Sequence, residues 1–257
     1  MASSLEIEIV PCLQDNYAYL LHDTSTGLTG IVDPSEAGPV EKALKAKGVK
    51  LDFILNTHHH WDHTGANEEL KRKFSAKVVG PKTDKDRIPG IDIPLANESW
   101  NFGSHALQAL ETPGHTTGHV CYYFEEDKAV FTGDTLFSIG CGRVFEGTME
   151  QMWSSLSRLS SLPDDTRVFC GHEYTVANAR FAVTVKPNNE ALQLRKKVAE
   201  QLRQQGQPTI PTTIAEERSF NPFLRPFSEE IRKNLRLGSS ACDVDVFAAL
   251  RLAKDAF

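Results

Sequence analysis

Alternation of apolar and polar positions governs the first two-thirds of the chain. "LEIEIV" (5–10) alternates with the period of a strand. "YAYLLH" (17–22), "GIVD" (30–33), "DFILNT" (52–57), "KVVG" (77–80), "ALQALET" (106–112), "HVCYYFEE" (119–126), "KAVFTGD" (128–134) and "RVFCGH" (167–172) are also strands. Each is short, rich in β-branched or aromatic residues, and bounded by Gly, Asp or Pro. Helical stretches interrupt them. "PVEKALKAKG" (39–48) stops at Gly48, and "ANEELKRKF" (66–74) is charged on one face. "TMEQMWSSLSRLSSLP" (148–163) opens with Thr148 and Gln151 at capping-box spacing and closes before Pro163. Past Tyr174 the period becomes helical. "NNEALQLRKKVAEQLRQQG" (188–206) has Asn188 or Asn189 as cap and Gly206 as stop, and 212–219, 228–236 and 243–256 are helices as well. The division expected is a mixed α/β domain over 1–174 and an all-helical domain over 175–257. No Gly- or Ser-rich linker separates them.

The ends of the strands carry the chemistry. "ILNT" runs into His58, His59, His60, Trp61, Asp62 and His63, nearly half of the nine histidines in six positions. "LET" runs into Pro113-Gly114-His115, "VFTG" into Asp134 and "VFCG" into His172. Metal-competent side chains after four strands point to convergence at one sheet edge, where α/β folds hold ligands. Imidazole nitrogen and carboxylate oxygen both suit zinc-like ions at about 2.0–2.2 Å. In extended backbone alternate side chains share a side, so His58 and His60 can grip one ion while His59 turns away. Asp62 and His63, past a turn, can reach a second ion. His115 can complete the first set, His172 the second, and Asp134, with two oxygens, can bridge. Taken singly, Asp62 could be a helix cap, Asp134 a turn residue and His172 a core histidine. His119 is read as a supporting group that hydrogen-bonds around the ligands. His22 and His105 are read as ordinary surface or strand residues.

Composition narrows the class. The 257 residues are 40% hydrophobic with a net charge of -6, enough for a large core. No long basic run exists, so nucleic acid is not an expected partner. An acidic protein that takes an anion must build a local cationic patch. The five cysteines are dispersed and form no C-x-x-C pair, which reads as reduced, mostly buried thiols inside the cell. "MASSLEIEIV" has no signal-peptide pattern, and no apolar run is long enough to span a bilayer. A cytoplasmic monomer without membrane contact is therefore expected.

Together "THHHWDH", "TPGHTTGH", "TGDTLF" and "CGHEYT" resemble the metallo-β-lactamase superfamily. "GCGRVFEGT", "NPF" and "LRLAKDAF" extend the likeness over the whole chain and narrow it to the hydroxyacylglutathione hydrolase (glyoxalase II) family. The resemblance implies an αββα sandwich with a C-terminal helical domain covering one side of the active site. It implies two divalent ions per chain, zinc with iron or manganese as alternatives. His58, His60 and His115 would hold the first, Asp62, His63 and His172 the second, and Asp134 would bridge. It implies hydrolysis of S-(2-hydroxyacyl)glutathione, chiefly S-D-lactoylglutathione, to glutathione and D-lactate, the second step of methylglyoxal detoxification. A hydroxide between the ions would attack, with Asp62 and Asp134 orienting it. Arg143, Phe145, Tyr174, Arg251 and Lys254 would line the glutathione site. Animal members have lysine and tyrosine where this chain has Arg143 and Phe145, so the charge is kept and the hydroxyl is not. Arg251 and Lys254 are three apart, on one helix face, although charge at a helix C-terminus is the commoner reason for such a pair.

Three other readings compete. One is another hydrolase of the superfamily, a lactonase, a different thioesterase or a β-lactamase, of which a secreted β-lactamase would carry a signal peptide. A persulfide dioxygenase would use one iron and fewer ligands than the seven here. A non-catalytic metal-binding protein would close each site with four protein ligands, often cysteines.

Overall fold

The computed structural model describes residues 4–238 and 240–257. The chain folds into two compact units, one formed by 1–111 with 117–133 and the other by 112–116 with 134–257.

The first unit contains β1 (Leu5–Cys12), β2 (Asn16–Asp23), β3 (Thr29–Val32), α1 (Ala37–Lys47), β4 (Phe53–Leu55), α2 (Trp61–Thr64), α3 (Asn67–Phe74), β5 (Lys77–Pro81), β6 (Ile91–Leu95), β7 (Ser99–Phe102), β8 (His105–Glu111), β9 (Val120–Phe124) and β10 (Ala129–Gly133). Strands β1 to β6 form one sheet in chain order. β1, β2 and β3 are antiparallel, and β3 to β6 run parallel. The other strands form an antiparallel meander, β7-β8-β9-β10. Alternation sorts the side chains of β2. Ala18 and Leu20 join Val40, Leu44 and Leu70 of α1 and α3 in a buried cluster, whereas Tyr19 turns to the meander, 5.3 Å from Phe131. Phe53 meets Trp100 edge-on at 5.1 Å. Helices therefore cover one face of the first sheet and the second sheet covers the other.

The second unit contains β11 (Leu136–Phe137), β12 (Gly140–Cys141), α4 (Met149–Ser160), β13 (Arg167–Cys170), α5 (Thr175–Val185), α6 (Glu190–Gln204), β14 (Thr212–Thr213), α7 (Ile214–Phe220), α8 (Glu229–Asn234) and α9 (Asp243–Asp255). With its helices the expected α/β architecture and helical C-terminal region are both present. Thr148 and Gln151 form the expected capping box of α4. Asn189, not Asn188, caps α6 by accepting from Leu192 N. Thr212 and Thr213, read as helical in sequence, instead pair with β13, and Thr213 caps α7 in a box with Glu216. Helix α5 has no counterpart in the sequence reading.

Candidate metal centre and substrate cleft

In the first unit the donors follow β4. Residues 58–60 are not helical, and α2 is a single helical turn holding Asp62 and His63. His58 Nε2 lies 3.1 Å from His60 Nδ1, and His63 Nε2 lies 3.6 Å from Asp62 Oδ2. His59 takes the opposite course to Asp84, with Nδ1 2.9 Å from Oδ2.

Asp33, which the sequence reading treated only as the end of a strand, organises this cluster. Its buried carboxylate accepts from Thr57 N at 2.8 Å, Thr57 Oγ1 at 2.7 Å and His63 Nδ1 at 3.1 Å. A carboxylate only accepts, so the His63 proton sits on Nδ1 and the Nε2 lone pair is left for a ligand. Thr57 spends its hydroxyl proton on Asp33, so Thr57 Oγ1 accepts from His58 Nδ1 at 3.0 Å. The His58 lone pair is then also on Nε2. His119 stacks on His58 with ring centroids 4.9 Å apart. A Cβ on Gly133 would lie 2.4 Å from Thr57 Oγ1 and 2.7 Å from His119 Nε2, so only glycine fits there. Asn16 Nδ2 donates to Asp62 Oδ2 at 3.1 Å, and Ser35 Oγ bonds the Asp62 carbonyl.

In the second unit the donors come from three separate turns. His115 follows Gly114, whose φ of 151° and close approach to Met152, 2.7 Å from an added Cβ, exclude other residues. His115 Nδ1 donates to the Arg143 carbonyl at 2.8 Å, so its lone pair is left on Nε2. Asp134 Oδ2 lies 3.5 Å from His115 Nε2 and 3.4 Å from His172 Nε2. Two donors at about 2.1 Å from one tetrahedral ion stand roughly 3.4 Å apart. Both clusters offer nitrogen and oxygen donors at roughly that spacing. His172 is stacked on Tyr174, 4.6 Å apart at 3°.

The same unit holds a cleft of about 430 Å³ lined by His115, Asp134, Arg143, Phe145, Tyr174, Arg251 and Lys254 among others. Arg143 and Phe145 are exposed. Arg251 is only 4% exposed. Its Nη1 donates to Cys141 O at 2.8 Å and its Nη2 pairs with Asp255 at 2.9 Å. Arg143 Nε is 3.4 Å from the same Asp255 oxygen. Burial holds the Lys254 ammonium below the usual lysine range, with Arg251 and Arg143 adding to the effect. Burial also pushes the Cys141 thiol up to about 11 and the Cys170 thiol up to about 12, so neither is a nucleophile at neutral pH. Of the five free cysteines only Cys242 is exposed. His105, expected as an ordinary strand residue, starts β8 and is buried against Asp127 at 2.7 Å. His22 bonds Thr29 Oγ1 within its own sheet. Among the described residues no helix is long and apolar enough to cross a membrane.

The sequence reading missed Asp33, Thr57, Asn16 and Asp84. A signal existed for the first: "GIVD" ends in a carboxylate after a strand, as "VFTGD" does.

Comparison with known proteins bears on both units. The family model described as the metallo-β-lactamase superfamily matches residues 14–93 and 101–172. The model described as the hydroxyacylglutathione hydrolase C-terminus matches 173–257. A hydroxyacylglutathione hydrolase of Methylococcus capsulatus is 54% identical over 254 residues, covering 98% of this chain and 99% of that protein. One of Rhizobium meliloti is 48% identical over 256 residues, covering 99% and 100%. The crystal structure of ETHE1 from Myxococcus xanthus superimposes with a TM-score of 0.66 at 27% identity, covering 96% of this chain and 98% of that one.

Proposed function

The chain belongs to the hydroxyacylglutathione hydrolase family of the metallo-β-lactamase superfamily, and from that premise we propose that its seven histidine and aspartate donors serve one binuclear hydrolytic centre. The fold is that of the superfamily, and the activity is thioester hydrolysis on a hydroxyacylglutathione. Superfamily membership and the His/Asp clusters imply divalent metal binding. In the proposed assignment His58, His60 and His115 would hold one ion, Asp62, His63 and His172 the other, and Asp134 would be shared between them. Zinc fits these donors, and iron or manganese would fit them as well. The observation that carries the assignment is the single Asp134 oxygen placed 3.5 and 3.4 Å from two histidine nitrogens, in a cleft that also contains Arg143, Arg251 and Lys254.

When bound, such ions supply a Lewis acid and a water whose pKa falls to about 7. The residues of this chain do the rest. Asp62, oriented by Asn16, and Asp134 accept hydrogen bonds from the attacking water and direct its lone pair to the acyl carbon. The oxygen, having lost a proton to solvent, bonds that carbon, and the carbon–sulfur bond then breaks. Sulfur leaves as thiolate without a general acid, since a thiol pKa is only about 8.5. Arg143, Arg251 and Lys254 meet the carboxylates of glutathione, Tyr174 packs beside His172, and Phe145 contributes its ring and backbone. The segment 175–257 is the substrate-binding part of this reading, with S-D-lactoylglutathione as chief substrate. A lactonase or β-lactamase reading is not favoured, because the relatives that match at full length are thioester hydrolases.

The test is hydrolysis of S-D-lactoylglutathione beside a lactone and a β-lactam, with metal content measured on the same sample. Two ions per chain and turnover of the thioester alone are expected. Faster turnover of the lactone or β-lactam, or one ion in a fully active sample, overturns the reading.

A further inference from the structure

The hairpin β11–β12 ends at Cys141, two residues before Arg143, and side chains from 175–257 make five hydrogen bonds to its backbone. Asn221 Nδ2 donates to Phe137 O at 3.2 Å and to Gly140 O at 3.0 Å. Asn178 Nδ2 donates to Ser138 O at 3.1 Å. Ile139 N donates to Glu217 Oε2 at 2.9 Å, and Arg251 holds Cys141 O. The tip residue, Ile139, has φ of 60°, a left-handed conformation that a β-branched side chain resists. Such a conformation persists only where the surroundings over-determine it.

Glu217 is the unusual member of this set. It is fully buried, and burial pushes its carboxyl up to about 7. Three donors offset that cost: Ile139 N, Asn221 Nδ2 at 2.9 Å, and Thr212 Oγ1 at 2.8 Å on the other oxygen. A fold needs no such carboxylate, since an apolar side chain of similar volume is often as stable. What an apolar side chain cannot do is accept from the N–H at the strained tip. Beyond the hairpin the chain stays tightly set. A Cβ on Gly142 would lie 1.9 Å from Asp134 O, and Phe145 N donates to His115 O at 3.3 Å. A shift of the hairpin is therefore transmitted to Arg143 and Phe145.

We propose that Glu217 and Asn221 are positioning residues for substrate, fixing Arg143 and Phe145 against glutathione through the clamped 137–141 hairpin. The proposal rests on the cleft assignment above. Thr212→Val is the control for a purely structural role, because it removes a Glu217 bond on the oxygen facing away from Ile139.

The test is a double-mutant cycle on the metal-loaded enzyme with S-D-lactoylglutathione. Assayed at about pH 8.5, where the Glu217 carboxyl is ionised, Glu217→Gln keeps the shape of the side chain and an oxygen to accept from Ile139 N but removes the charge. It is expected to raise KM about fivefold, the difference between a charge-assisted and a neutral contact. Its kcat is expected within about twofold of the parent and its metal content unchanged. In an Arg143→Ala background the same change should move KM by less than about twofold, because the group it positions is gone. Thr212→Val should lower Tm with KM unchanged. Should Glu217→Gln fail to fold, Glu217→Asp enters the same cycle, with a smaller rise in KM that again vanishes without Arg143. An unchanged KM in the folded variant, an equal rise in both backgrounds, or an equal rise in Thr212→Val overturns the proposal. Arg143→Ala with the parent's KM overturns the cleft assignment itself, whereas a rise there and none in Glu217→Gln overturns only the inference.

Discussion

Arg251 and Lys254 occupy one face of α9 and line one cleft, yet their removal is expected to have different consequences. Arg251→Ala deletes a charge-assisted bond to a buried carbonyl, Cys141 O, worth about 1.5–3 kcal/mol. It also deletes a guanidinium 5.1 Å from the Phe223 ring centroid, worth about 0.5–2 kcal/mol. The Asp255 pair adds little, since its carboxylate is 33% exposed. The whole loss is about 2–5 kcal/mol, or roughly 4–20 °C in Tm for a chain of this size. Lys254 lies over Phe181 and Phe257 at 5.6 and 5.5 Å and is repelled by Arg251 and Arg143. Lys254→Ala should therefore change stability by less than about 1 kcal/mol. Both variants should raise KM for the glutathione thioester by about tenfold to a hundredfold, the worth of one bond to a carboxylate. Thermal unfolding and steady-state kinetics on the same preparations decide the matter. If Arg251→Ala melts with the parent, or Lys254→Ala melts as low as Arg251→Ala, the structural role given to the Arg251–Cys141 bond is wrong. If neither raises KM, the cationic end of the cleft is only a solvated helix terminus.

Asp134→Ala should lose most activity and lower occupancy of both metals, because one oxygen serves both histidines; elemental analysis still finding two ions per chain would refute the bridge. His59→Ala should retain both metals, since His59 bonds Asp84; loss of an ion would mean that the wrong histidines were assigned. The raised pKa of Glu217, about 7 against 4.5, means that its protonated form favours folding, a contribution complete below the lower value and lost as pH rises through about 7. The stability of the parent relative to Glu217→Gln should accordingly fall by of order 2 kcal/mol between about pH 5.5 and 8.5, measured by denaturant unfolding of the metal-free proteins; a difference independent of pH would show that the carboxyl titrates normally.

How much of this was legible in the sequence depended on how local each signal was. The histidine cluster was plain because four donors fall within six contiguous positions and extended backbone sorts them by alternation. Helix α4 was plain because its cap and apolar stripe are local too. Helix α5, "TVANARFAVTV", was not: it is rich in β-branched residues and buries Thr175, Asn178, Ala179, Phe181, Ala182 and Val185, so it lacks the polar face that makes a helical period visible. β6 was missed because Pro94 breaks the strand signal, and it sits at the edge of its sheet, where proline is tolerated. Glu217 sits in "AEERS", which reads as a solvated charge run. Only tertiary folding turns that carboxylate inward to Ile139. Arg251 was singled out in sequence for its charge and helix face, but its hold on Cys141, across 110 positions, has no trace in sequence.

Asp33 shows how fold and site constrain each other. β3 and β4 are parallel neighbours with Val32 opposite Leu55, so residues just past their ends emerge side by side. That adjacency sets the Asp33 carboxylate against Thr57, and the chain delivers His58 one residue later. Two costs attend the arrangement. Asp33 is 2% exposed, and its φ of 49° is unusual for a residue other than glycine. Three hydrogen bonds offset the burial, and two of them do chemical work beyond stability. The bond to His63 fixes one imidazole directly, and the bond to Thr57 fixes the other through the hydroxyl it consumes. One strained carboxylate thus sets the lone pairs of two histidines assigned to different ions. An alanine there would release both rings at once, whereas an asparagine could still accept from Thr57 and would leave His63 to compete for an amide.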